Sequence, residues 1–292
     1  MILTSLIALV NLTAPAPALS DFSRLTSGEW RMTSVGGSKF HETWRWGPGG
    51  FSVRKFTHGV NLHDNNRPWR DLEVFYVHPQ KKGIQYFGIS PAFEGISEGT
   101  TTTSAAQFVT TMKIYQTPGV RDIKIQTDFK GKGEFNESLL ESVNSGPYEK
   151  GNEWVHFHSA AVTAVPRLTS PETPQPIGPR APLAPFAGKQ SESRGSGPAG
   201  SVQRTQFEWV PYANALTMRT VQIEKSGKVT ELSDGYLYYH TGKKQLRALI
   251  LSSSGAVSEG TVTVAKPSGL LLDLTVADGK KTFRRQLTLQ PE

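Results

Sequence analysis

The sequence predicts an all-β protein: two related antiparallel up-and-down barrels joined by a proline-rich linker. Three observations carry that expectation. Apolar and polar residues alternate with the strand period of two in segment after segment. Turn signals separate those segments at short intervals. A collinear series of matching segments also recurs at an offset of 162 or 161 residues, which is the signature of an internal duplication.

The totals set the limits. The chain has 292 residues, enough for one to two domains, and a net charge of +7. It contains no cysteine, which excludes disulfides, thiolate metal sites, a cysteine nucleophile and a lipoprotein anchor. Basic pairs at Lys81-Lys82, Lys243-Lys244, Lys280-Lys281 and Arg284-Arg285 are scattered rather than gathered into a run. They read as a solvated surface, and no nucleic-acid partner is expected.

The first element is residues 1–18, read as a signal peptide. The apolar stretch Ile2–Val10 leads into small residues, and Ala14-Pro15-Ala16 or Ala16-Pro17-Ala18 supplies a cleavage site, although the usual positive flank is missing. A periplasmic or secreted location follows from this reading. The stretch is too short to span a bilayer, and no transmembrane segment is expected elsewhere.

The first barrel covers residues 19–165. A short helical turn is placed at Leu19–Leu25. From Phe40 to Trp46 the aromatics all fall on even positions and the odd ones are polar, so one face of a strand is largely apolar. Phe108, Thr110, Met112 and Ile114 repeat the pattern, and the turn signals "GPGG" at 47–50 and "TPG" at 117–119 bound these runs. Residues 166–181 form the linker, because each proline removes a donor and fixes φ. The second barrel covers residues 182–292. "YVHPQKKGIQYFGIS" (76–90) matches "YYHTGKKQLRALILS" (238–252), and "SEGTTT" (97–102) matches "SEGTVT" (258–263). "ETWRW" matches "TQFEW", and "LSDFSRLTSGEW" faces "LAPFAGKQ", where Gln190 replaces a tryptophan. No counterpart of residues 130–165 exists in the second copy, so a smaller or partly open barrel is expected there.

On these residues ("LSDFSRLTSGEW", "ETWRW", "YVHPQKKGIQYFGIS" and "SEGT") the chain resembles exported, tandem bacterial lipocalin-like (calycin-type) β-barrel domains of unknown function. The resemblance implies the fold and an exported setting; it implies no activity.

Candidate sites are few. Trp30, Trp44, Trp46, Tyr86 and Phe108 would line an apolar pocket in the first barrel, and Phe207, Trp209 and Leu272 one in the second. Glu98 and Glu259, each followed by glycine, would orient a ligand or pair with Arg45, Arg54 or Arg219. Their glycines mark a bulge or a close backbone approach. His156 and His158 share a strand face with Trp154 but lack a third metal ligand in the sequence, so neither metal nor haem is expected and no cofactor is assigned. The stretch 57–71, with His58, His63, Asp64, Arg67, Trp69 and Arg70, reads as a loop. No nucleophile elbow, phosphate loop, dinucleotide fingerprint or zinc-protease helix is present. The expected function is non-catalytic binding of a small, largely apolar ligand inside the first barrel. The alternatives are a packed structural or protein-interaction module and, third, a hydrolase of a small ester or lipid. A protein partner or oligomer is left open.

Overall fold

A computed structural model of the chain describes residues 16–26, 28–34, 38–61, 67–90, 95–116, 119–131, 133–142, 146–159, 178–194, 200–210, 215–265 and 268–291. Ten strands close into a barrel. They are β1 (Glu29–Ser34), β2 (Lys39–Trp46), β3 (Ser52–Asn61), β4 (Arg67–Val77) and β5 (Ile84–Ser90), then β6 (Gly95–Thr103), β7 (Gln107–Tyr115), β8 (Val120–Phe129), β9 (Glu134–Ser142) and β10 (Tyr148–Ser159). Each pairs antiparallel with its chain neighbours, and β10 returns to β1 with Trp30 opposite His158.

A second, open sheet has eight strands in chain order. They are β11 (Gln190–Arg194), β12 (Val202–Trp209), β13 (Ala215–Ile223) and β14 (Val229–His240), then β15 (Gln245–Ser252), β16 (Val257–Ala265), β17 (Gly269–Asp278) and β18 (Lys281–Leu289). The architecture is therefore all-β and lipocalin-like, one closed barrel and one half-barrel. The missing counterpart of residues 130–165 is the reason for the difference, because that stretch supplies β9 and β10, which close the first sheet. The free edge strand β18 exposes Lys281, Arg284 and Arg285, charges that discourage further strand pairing.

A 3-10 helix, Pro17–Arg24, closes one end of the barrel. Proline at its start suits the first helical turn, where an N–H would lack a partner. Leu19, Phe22 and Leu25 are fully buried. The Phe22 ring lies 4.9 Å from Phe75 and 4.8 Å from Phe108, centroid to centroid. Trp30 Nε1 donates to the Leu25 carbonyl at 3.0 Å, pinning helix to strand. A second 3-10 helix, Gly178–Phe186, buries Leu183 and Phe186 under the open sheet in the same way. It begins inside the stretch read as linker; residues 160–177 lie outside the described residues.

The stretch 57–71 is not a loop where it is described. Residues 57–61 continue β3 and 67–71 begin β4, and Thr57 pairs with Asp71, His58 with Arg70. The polar residues that suggested a loop are strand positions; His41 and His58 stack there, centroids 5.4 Å apart. His63 and Asp64 lie outside the described residues.

The two sheets meet through a shared apolar cluster. Leu72, Val74, Tyr76, Phe87, Ile89 and Ile96 come from the barrel; Tyr236, Tyr238, Leu249, Leu251 and Val257 come from the open sheet. Phe87 packs its ring 5.6 Å from Tyr236 and 4.9 Å from Tyr238. This contact explains why β5 is buried on both faces: one face looks into the barrel, the other onto the second sheet.

Candidate functional site

The barrel encloses a cavity of about 350 Å³. The aromatic layer over the 3-10 helix, where Trp30, Trp44, Phe75, Phe108 and Phe135 pack with Phe22, is solid core and does not line the cavity. The far end of the cavity is ringed by Ser34, Ser38, Ser90 and Trp154. The strand period decides what faces inward. On β7, β8 and β9 the inward positions Met112, Ile114, Ile123, Ile125 and Leu139 make an apolar wall. On β2, β3, β4 and β9 the inward positions include Glu42, Lys55, Asp71, Glu73 and Glu137, which make a charged wall.

Lys55 is the centre of that wall. Its ammonium lies 2.9 Å from Glu42 Oε1, 3.1 Å from Glu73 Oε1 and 3.6 Å from Glu137 Oε2. It also stands over the Trp44 ring at 5.3 Å. Burial pulls the Lys55 ammonium down, but Glu137, Glu42 and Glu73 together hold it well above the usual lysine range. It is a permanent cation.

The three carboxylates are not equivalent. Glu42, fully buried, takes the Lys55 ammonium and the hydroxyl of Thr57 on Oε1. Its Oε2 takes Trp44 Nε1 at 3.4 Å and stands 3.1 Å from His156 Nδ1. Burial alone would raise it; the charges of Lys55 and His156 more than offset that and hold it at about 2. Glu73 is pushed above the usual carboxylate range, by burial first and then, against the pull of Lys55, by Glu137 and Glu42. Glu137 accepts no hydrogen bond from any described residue; its carboxylate is nine-tenths buried and lines the cavity.

Of the residues singled out in the sequence, Tyr86 lines the cavity. Trp30, Trp44 and Phe108 are in the packed aromatic core and not on the cavity, and Trp46 lies half-buried against that core. Phe207, Trp209 and Leu272 belong to the core of the open sheet. Glu98 and Glu259 stand outside the cavity, at the contact between the sheets. Glu98 accepts from Tyr238 Oη at 3.3 Å and faces His240 Nε2 at 3.5 Å. Glu259 accepts from Tyr76 Oη at 3.3 Å and from Lys81 Nζ at 2.9 Å. Two of the arginines weighed as their partners go elsewhere: Arg54 reaches Asp234 at 2.9 Å and Glu231 at 3.1 Å, and Arg219 pairs with Glu231. Gly99 and Gly260 are close backbone approaches: a Cβ would lie 2.1 Å from the Thr111 carbonyl oxygen and 2.0 Å from that of Asp273.

His156 and His158 share the inward face of β10. The His156 ring stacks on Phe135 with centroids 4.0 Å apart, and His158 meets the Trp30 ring edge-on at 5.0 Å. Among the described residues, no group of three or more His, Asp or Glu is placed to hold a metal ion. His78 and His240 serve turns, their Nδ1 atoms accepting from the backbone of Gln80 and Lys243.

Glu42, Lys55, Glu73 and Glu137 escaped sequence reasoning. A signal was present: each occupies the parity of its apolar neighbours, Glu42 between Phe40 and Trp44, Glu137 between Phe135 and Leu139. A charge on an otherwise apolar strand face has to be paired or functional.

No family model matches the chain. No curated protein matches it either. Among solved structures, the crystal structure of Rv2717c from M. tuberculosis is similar over 50% of this chain and 99% of that chain, with 16% sequence identity and a TM-score of 0.36.

Proposed function

We propose that the closed barrel is a non-catalytic binding site for one small, largely apolar ligand, in a protein exported by residues 1–18. The cavity supports this reading. Its size lies in the range of small-molecule sites, and it combines an aliphatic wall with a few convergent polar groups. Burial of apolar ligand surface would supply the drive, at roughly 25 cal/mol per Å² before costs, and Tyr86 with the charged wall would orient the ligand. The half-barrel and the barrel would be copies of one duplicated domain, the second having lost its closing strands and, with them, its own enclosed site. Its part is then to cover one outer face of the barrel through the apolar contact around Phe87 and Tyr238.

Native mass spectrometry of the protein from an exporting host tests the reading. An extra mass that leaves on denaturation is expected. A clean unliganded mass that persists after incubation with fatty acids, haem and a hydrophobic extract would overturn it and favour a packed interaction module.

A further inference from the structure

We propose that the ligand of the barrel carries a cation, a protonated amine or guanidinium on an apolar body, seated on Glu73 and Glu137. This deepens the binding reading above and rests on it.

The charge balance of the cavity leads to that class. Three carboxylates converge on one ammonium, so the wall carries more acidic than basic groups, and the imidazole of His156 reaches Glu42. Glu42 is already saturated, by Lys55, Thr57, Trp44 and His156. Glu73 and Glu137 share what remains of Lys55, and Glu137 accepts no hydrogen bond from any described residue. A buried carboxylate without donors is costly, and an entering N–H cation supplies what it lacks. An anionic headgroup would meet three like charges and is rejected on the same ground. The other ionisable groups on the cavity do not relieve the excess. They are acidic: Asp71 on the wall and, at the rim, Glu153, which is engaged with Lys150 at 2.5 Å.

The apolar wall fixes the rest of the ligand. Met112, Ile114, Ile123, Ile125 and Leu139 stand across the barrel from β3 and β4, so a cation on Glu73 and Glu137 lays its hydrocarbon against them. The site therefore selects an amphiphile by both ends.

The test is a matched series: n-hexylamine, hexan-1-ol and hexanoate, titrated calorimetrically into the whole protein at pH 7. Hexylamine should bind at least tenfold more tightly than hexanol, and hexanoate more weakly than both. Glu137→Gln and Glu73→Gln should each cut that amine-to-alcohol ratio at least fivefold, with far-ultraviolet circular dichroism and thermal melting showing that the variants are folded. Equal binding of amine and alcohol, or tighter binding of hexanoate, would overturn the charge assignment and leave the carrier reading standing. Binding of none of the three, with a clean unliganded mass as well, would bring down both.

Discussion

Tyr238 of the open sheet donates its hydroxyl to Glu98 of the barrel at 3.3 Å. The relation is reciprocal, since Tyr76 of the barrel donates to Glu259 of the open sheet at 3.3 Å. The tyrosines are 162 positions apart in the chain and the glutamates 161. The repeated "SEGT" therefore has a structural use: each sheet supplies the acceptor for the other's tyrosine, as in an interface related by a twofold axis. Strand β5, which lies between β4 and β6, brings Phe87 against Tyr236 and Tyr238.

That contact should be worth more through its apolar centre than through its polar pairs. Phe87→Ala is expected to cost about 3–5 kcal/mol, because it empties a fully buried aromatic site between two sheets. Glu98→Gln, at a carboxylate one-third exposed, should cost about 1 kcal/mol. Urea denaturation followed by far-ultraviolet circular dichroism separates the two, and similar costs would refute the ranking.

Lys55→Met removes the cation from a buried cluster and leaves three carboxylates facing one another. A loss of about 3–5 kcal/mol is expected at pH 7, shrinking as the pH is lowered and the carboxylates take up protons. A variant within 1 kcal/mol of the parent at pH 7 would show that Lys55 does not balance the wall.

Glu42 and Glu73 should respond oppositely to loss of charge. Glu42 is held at about 2, below the ordinary 4.5, so its ionised form stabilises the fold above pH 4.5, and that contribution fades as the pH falls through 4.5 towards 2. Glu42→Gln should therefore cost on the order of 3 kcal/mol at pH 7 and progressively less in acid.

Glu73 has the reverse sign. Its carboxyl is raised, so the folded protein binds this proton more tightly than the unfolded chain, and ionisation costs stability as pH rises above 4.5. Glu73→Gln should raise Tm by about 2–4 °C at pH 8 and by less near pH 4.5, measured by calorimetry. A lowered Tm at pH 8 would show that the pairing with Lys55 outweighs burial.

Gly99→Ala and Gly260→Ala should each destabilise by more than 1 kcal/mol, since the added methyl meets a neighbouring strand's carbonyl oxygen and the backbone has to shift. Gly83, with nothing within 4 Å of its would-be Cβ, is the place where alanine meets no such obstacle; only its positive φ of +73° opposes the change.

Much of the fold was legible in the chain because local signals agreed. Alternation at Phe40–Trp46 placed a strand that is β2, and the absence of a partner for residues 130–165 foretold the open second sheet. The helical turn read at Leu19–Leu25 is the 3-10 helix Pro17–Arg24, whereas the one at Gly178–Phe186 begins in the stretch read as linker. The stretch 57–71 was misread because His58, Arg70 and Asp71 are polar, and strand pairing overrode that composition. The candidate site was legible only as an aromatic lining, of which Tyr86 lines the cavity while Trp30, Trp44 and Phe108 are packed core.

What the sequence determined by itself was the class of the elements, their order and their repetition, because these depend on period, turn chemistry and residues near one another in the chain. Only the tertiary structure decided where the carboxylates go. Glu98 and Glu259 lie on faces that meet the other sheet, whereas Glu42, Glu73 and Glu137 meet at Lys55 from four strands spread between residues 39 and 142. Parity along one strand says which residues share a face. Which face closes over a cavity, and which charges then find each other inside it, is set by the curvature and closure of the whole sheet.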